Sequence, residues 1–563
     1  MPLLPLALFT AVWLLTAYRI YGNYLARKLS LDPDRVMPSE ELRDDSDYVP
    51  TETRLLLGQH FSAIAAAGPI VGPILAGAAF GWLPALLWIL IGSVLLGGVH
   101  DMTALVASLR HRARSIAEVV REHMSRRSYL LFLTFIWLAL IYIIVAFTDI
   151  TAQSFVGQQK LENGQVITGA GIATSSLLYL LLPVLMGLLL RYTKLTVAWA
   201  TVIFVPLVVA AVWVGQFIPL DLAAWFNLSQ ADAHKAWDVI ILVYCVAAAG
   251  IPVWLLLQPR GYLGGVFLYG FLIVGLGGML FSGKTATYPA FTGWTAANGD
   301  TLAPMLFITI ACGAVSGFHS LIASGTTSKQ IRRETDAKPI GFGTMLLEAG
   351  VAVIALATVM MLAQGSSLAA QPPNLIFANG IGGFLEMVGV PPVLAISLML
   401  MAFTTFVYDT LDVTTRLGRY ILQEVTGWHD PRGLWLGSIL TGGIPVLFVM
   451  QTAVDAAGKP IPAWRTFWSL FGASNQLLAA LTLLGITVWL WRTQRARWAL
   501  FVTGLPCLFM YGMSCWALGS ILAKSLATGA FGPVLLVAVL LLFLAGWMLV
   551  EAVAAFGRPA QAA

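Results

Sequence analysis

Charge is what this 563-residue chain has least of. Asp, Glu, Lys and Arg together make 10% of it, where a water-soluble globular chain carries about 25%. A surface that meets water on every side needs more polar cover, which argues against a conventional soluble enzyme. Disorder and nucleic-acid binding are excluded too, since both depend on dense charge. Cysteine is also scarce: Cys245, Cys312, Cys507 and Cys515 are scattered through apolar stretches with no CxxC pair. That argues against a disulfide framework or a thiolate zinc site and for small buried core residues. What fills the chain is apolar sequence, 58% of all residues.

A hydrocarbon core is crossed by about 20 apolar residues. Fifteen such stretches run roughly over 4–24, 60–80, 82–108, 129–152, 172–190, 195–215, 238–257, 262–281, 303–324, 343–363, 391–411, 433–452, 466–490, 498–522 and 530–555. The first is long for a signal sequence and lacks a basic lead and a clear cleavage site, so it is expected to be retained. With fifteen spans, 26 of the 32 Lys and Arg residues fall on one side and 6 on the other. Cytoplasmic loops keep the basic excess, which puts the N-terminus outside and the C-terminus in the cytoplasm. The basic run RHRARSIAEVVREHMSRR (110–127) follows the same rule as a loop with a short amphipathic helix at the headgroups.

Two stretches contain residues that a continuous membrane helix would not choose, GQHFSAIAAAGPIVGP (58–73) and ACGAVSGFHSLIASGTT (311–327). Unpaired backbone at membrane depth is costly unless it lines a cavity or binds a ligand. Gly68, Pro69, Gly72 and Pro73, with Ser316, Gly317, Ser320, Ser324 and Gly325, are therefore candidate substrate-binding positions. Close helix packing is the alternative reading of the small residues. The segments resemble each other, HFSAIAAAG (60–68) beside FHSLIASG (318–325), and aligning Ser62 with Ser320 brings Asp149 close to Asp409. By the charge count the two run in opposite directions, as an inverted repeat requires. The expected fold is an all-α polytopic protein with discontinuous helices and two five-span repeats, 55–218 and 301–492. A leading helix and cytoplasmic linker (1–54), an inserted helix pair with outer loops (219–300) and two C-terminal helices (493–563) complete it.

Ionisable groups inside spans need a partner or a function. His60, His100 and Asp409 have ligand types that suit zinc, with no diagnostic spacing because they come from three spans; separate helix-packing hydrogen bonds are the alternative. No cofactor is required. Asp101, Asp149, Asp412 and His319 are candidate proton-coupling residues. Arg416, four residues after Asp412, is expected to pair with it, while Asp409 has no partner at that spacing. His100 and Asp101, adjacent and about 100° apart on a helix, are not expected to face the same group.

The segments GQHFSAIAAAGPIVGPILAG, ITIACGAVSGFHSLIASGTTSKQI, LDVTTRLGRYILQE and LFGASNQLLAALTL, in this order, closely resemble the carbon starvation protein CstA family from about residue 3 to beyond 490. The resemblance implies a bacterial inner-membrane transporter of the amino acid-polyamine-organocation superfamily with a LeuT-type core. Members of the family include peptide importers and proton-coupled pyruvate transporters, and the chain looks like the shorter branch. The expected function is proton-driven uptake of small peptides. Pyruvate or another short carboxylate is the alternative substrate, and a non-transporting nutrient sensor the alternative of another class. The expected partners are the peptide, protons and the lipid bilayer, with no nucleic acid and no enzymatic activity.

Overall fold

Long apolar runs without water nearby must satisfy their own N–H and C=O groups, and the helix is how one segment does so alone. Thirteen helices among the described residues are long and apolar enough to cross a bilayer, from Leu3–Lys28 to Pro533–Phe556. The computed structural model describes residues 1–557 apart from 45–47, 161–164, 253, 429, 455–459 and 530–531. Lys459 and Arg558, both in the charge count, lie outside the described residues.

The helix faces confirm the solvent. Val12, Leu15 and Ile20 on Leu3–Lys28, Val202, Trp213 and Phe217 on Val197–Phe217, and Val550 and Val553 on Pro533–Phe556 are exposed. Water would not tolerate such continuous apolar faces, whereas lipid tails do. The chain is a multi-pass membrane protein.

Two expected spans are broken. Thr53–Ile64 and Gly68–Phe80 are apolar enough together to cross, but are bent by 46° at their junction. The stretch after residue 301 consists of the short helices Leu302–Thr309, Ala311–Ala314 and Gly317–Ile322, followed by a wide turn at Ala323–Thr327. With these two, the thirteen long helices account for all fifteen expected stretches. Pro392–Thr426 runs well past the expected end at 411, and Pro373–Glu386 is a further helix between the expected spans 343–363 and 391–411.

The chain forms two compact units. One gathers Met1–Ala7, Leu140–Tyr288 and Ala357–Phe467. In it, the inserted helices Gln230–Gly250 and Leu257–Phe281 both pack on Pro392–Thr426. The other gathers Leu8–Ala139, Pro289–Leu356 and Trp468–Ala563. There, Ala311–Ala314 packs on Gly68–Phe80, and Gly317–Ile322 packs on both Thr53–Ile64 and Gly98–Arg110.

Candidate functional site

Both breaks lie in the second unit. Thr53–Ile64 and Gly68–Phe80 are separated by Ala65, Ala66 and Ala67. Pro69 sits in the first turn of the new helix, where its missing N–H would have no helical partner anyway. The irregular backbone is therefore 65–67, upstream of the expected 68–73, and Gly68, Pro69, Gly72 and Pro73 are helical and buried. The two glycines serve contact: a Cβ on Gly68 would overlap the Cys312 side chain, and one on Gly72 would run into the Thr309 carbonyl.

In the second break, Val315 and Ser316 are extended between two short helices. Asn475, on Ala463–Gln494, spans this gap. Its Oδ1 accepts from the Phe318 N–H at 2.9 Å, and its Nδ2 donates to Ser316 Oγ at 3.0 Å and Cys312 Sγ at 3.3 Å. This is an N-cap supplied by another helix, meeting a donor that the start of a helix leaves over. Gly317 permits it, since a Cβ there would come within 2.5 Å of the Ala479 nitrogen and the Asn475 carbonyl oxygen. Beyond the break, Ser320 donates to the Gly317 carbonyl at 2.7 Å and Ser324 to the Ser320 carbonyl at 2.7 Å. Ser324 also accepts from the Ile116 N–H at 3.2 Å, and Gly325 lies in the wide turn. Such turns recur at functional sites because they disturb helix periodicity.

Three residues past Ser316, His319 enters a buried chain of ionisable groups. Asp101 receives His100 Nδ1 at 2.7 Å on one oxygen and His319 Nδ1 at 2.8 Å on the other. The far side of the His319 ring, Nε2, is 3.1 Å from a carboxylate oxygen of Glu348, on Thr344–Met360, close enough for an ion pair but not aligned as a hydrogen bond. His100, Asp101, His319 and Glu348 are all fully buried. His100 does reach its neighbour Asp101, because the imidazole can fold back along the helix surface to a residue one step on. His60 makes a separate bond from Nδ1 to Thr327 Oγ1 at 2.8 Å, and the Nε2 atoms of His60 and His100 have no hydrogen-bond partner among the described residues. Chemically, Asp101 fixes His319 with Nδ1–H toward it. One further proton then has two homes 3.1 Å apart, His319 Nε2 or Glu348. Burial makes either unpaired charge costly. Glu348 escaped sequence reasoning although its signal was present, a lone acid in the apolar run TMLLEAGVAVIALA.

In the first unit the acids at 409 and 412 meet a cation that lies between the expected spans 238–257 and 262–281. Arg260 is fully buried in Leu257–Phe281. Its Nε lies 2.5 Å from Asp409 Oδ1 and its Nη1 2.5 Å from Asp412 Oδ2, while Nη2 donates to the Tyr408 carbonyl at 2.5 Å. Tyr244 Oη donates to Asp412 at 2.9 Å. The expected Asp412–Arg416 pair does not form. Arg416 instead donates to the carbonyls of Ala248 (3.0 Å) and Ile251 (2.5 Å), where Gln230–Gly250 ends. Helix C-termini leave carbonyls over and carry partial negative charge, which attracts a guanidinium. Asp149 accepts the Trp464 N–H at 2.8 Å and lies 3.2 Å from His234 Nε2. Two groups of metal-capable side chains occur among the described residues, His111 with Glu122 and His123, and Asp149 with His234 and Asp238. Neither includes His60, His100 or Asp409.

The sequence profile described as "Carbon starvation protein CstA" matches residues 3–375 and 364–517. A peptide transporter CstA of Helicobacter pylori is 31% identical over 565 residues, covering 89% of this chain and 79% of that one. A peptide transporter CstA of Escherichia coli is 32% identical, covering 86% of this chain and 76% of that one. The pyruvate/proton symporter BtsT of Escherichia coli is equally similar, 32% identical over 90% of this chain and 80% of that one.

Proposed function

The chain belongs to the carbon starvation protein CstA family, and from that membership we propose that it imports small peptides across the bacterial inner membrane, driven by protons. One observation carries the coupling: the extended break at Val315–Ser316 and the titratable His319 share one short stretch of backbone. A substrate that shifts the break moves His319 relative to Asp101 and Glu348, and so changes which of them holds the proton. Asp101 and His319 are thus the coupling residues, with Glu348 as their acceptor. Asp412 and Asp149 position helices through Arg260 and His234.

The first break suits a zwitterion. The N-terminal end of Gly68–Phe80 favours a carboxylate, and the C-terminal end of Thr53–Ile64 favours an ammonium. Ser316 and Gly317, with Ser320, Ser324 and Gly325 behind them, would line the other wall. An inverted repeat has support from the composition of the units: in each half the first two spans fall wholly or in larger part in one unit and the third and fourth wholly or in larger part in the other, while the fifth spans, 195–215 and 466–490, fall in different units. The charge count supports an outside N-terminus and a cytoplasmic C-terminus.

A short carboxylate such as pyruvate is the second reading, favoured by the similarity to BtsT; it needs only the anion-binding end. Purified protein in proteoliposomes decides. Uptake of a labelled dipeptide that requires an inward proton gradient is the expected result. Pyruvate uptake without competition by peptides would replace the first reading with the second, and saturable binding without uptake of either would make the protein a sensor.

A further inference from the structure

Among the described residues of the first unit, Asp409 with Asp412 and Asp149 with Asp238 are buried carboxylate pairs, and they are neutralised differently. Asp409 and Asp412 close on the permanent positive charge of Arg260. Asp149 and Asp238 have no guanidinium or ammonium between them among the described residues, only His234. His234 and Asp238 lie one turn apart on Gln230–Gly250 and so share a face. Asp149 comes from the end of Arg126–Ser154. One donor atom from each of the three lies within 4.8 Å of the other two. Asp238 is 1% exposed and faces the Asp149 carboxylate, yet neither of its oxygens receives an N–H or hydroxyl donor among the described residues. The neighbouring Lys235 turns its ammonium away, to the Met450 carbonyl at 3.1 Å and Thr452 Oγ1 at 2.7 Å.

We propose that Asp149, His234 and Asp238 form a site for a divalent transition metal, with zinc the ion their chemistry suits best. Two carboxylate oxygens and an imidazole nitrogen are a zinc-type donor set, and two negative charges balance one divalent ion in a place where unpaired charge is costly. The ligand atoms are His234 Nε2 and one oxygen from each aspartate. Nε2 now donates to the Asp149 carbonyl at 3.0 Å and lies 3.2 Å from its Oδ1; metal binding releases that proton and replaces that bond. The other Asp149 oxygen is held by the Trp464 N–H at 2.8 Å, the kind of outer contact that orients a metal-binding carboxylate. Tetrahedral donors on zinc stand about 3.3 Å apart, so a side-chain adjustment of an ångström or so gathers the three. The ion would tie Arg126–Ser154 to the inserted helix Gln230–Gly250, doing for Asp149 what Arg260 does for Asp409.

The test uses full-length protein in detergent, stripped with a chelator and titrated with zinc chloride alone by calorimetry. The expected result is one ion per chain, with Asp238→Asn and His234→Ala each weakening binding by about tenfold or more. His111→Ala, in the other group of metal-capable residues, leaves that binding unchanged. Asp238→Asn keeps the side-chain shape and removes one of two facing carboxylates, so stripped Asp238→Asn should melt no lower than stripped wild type. Zinc should raise the melting temperature of wild type and not of Asp238→Asn. The assignment is overturned if wild type binds no zinc, or if binding survives Asp238→Asn and His234→Ala and is lost in His111→Ala.

Discussion

Arg260 holds two carboxylates, a tyrosine hydroxyl and a backbone carbonyl on one guanidinium. Arg260→Met would leave Asp409 and Asp412 facing each other without a fixed cation, at a cost of about 3–5 kcal/mol. Arg416→Met removes only bonds to carbonyls, at about 1–3 kcal/mol; thermal unfolding in detergent should rank the two variants in that order. Glu348→Gln keeps the volume of the side chain and removes a home for the proton. It should abolish proton-driven accumulation while leaving exchange of labelled for unlabelled substrate, which needs no proton movement, near wild type. Loss of both activities would count against the coupling role. At this scale the sequence announced most of the chemistry, because an acid or histidine in an apolar run stands out, as Asp101, His319, Asp409 and Asp412 do. Their partners were hidden. Arg416 sits at helical spacing from Asp412, but Arg260, 149 residues from Asp409 in sequence, wins because it meets two carboxylates at once.

At the scale of elements, the breaks depend on close approach. Gly72→Ala would push a methyl against the Thr309 carbonyl, which belongs to the backbone and has no other position to take, whereas Gly68→Ala meets only the Cys312 side chain. Uptake by Gly68→Ala should therefore be partly restored by Cys312→Gly, and uptake by Gly72→Ala should not be restored by any side-chain change nearby. Asn475→Ala leaves a helix-start N–H without its acceptor, a cost of about 1–3 kcal/mol, and should reduce uptake more than it lowers the melting temperature. The prolines and glycines marked where the first span breaks to within a few residues, but not its exact place. Helix geometry accepts proline in a first turn, so the irregular part moved upstream to 65–67. Those residues are three alanines, the best helix formers, and carry no local signal of a break. Asn475 stood inside a recognisable motif, yet its role as a cap depends on the second break lying opposite it.

For the whole molecule, the charge count makes a direct prediction. In a cysteine-free background, Lys160→Cys should be labelled by an impermeant maleimide from outside the cell, and Arg112→Cys only after permeabilisation; the reverse would invert the proposed topology. Both positions are exposed at the ends of spans. The sequence by itself determined the solvent, where the long apolar helices run and several of the residues that carry charge inside them. Each follows from the local cost of placing backbone or charge in hydrocarbon, which a run of twenty residues already contains. Only the tertiary structure decided which charges neutralise which. Arg260 joined Asp409 and Asp412, Glu348 joined His319 and Asp101, and Asp238 came to face Asp149. Electrostatic pairing acts over a few ångströms of space whatever the separation along the chain, so it is fixed by how helices from distant segments pack and not by any spacing within one of them.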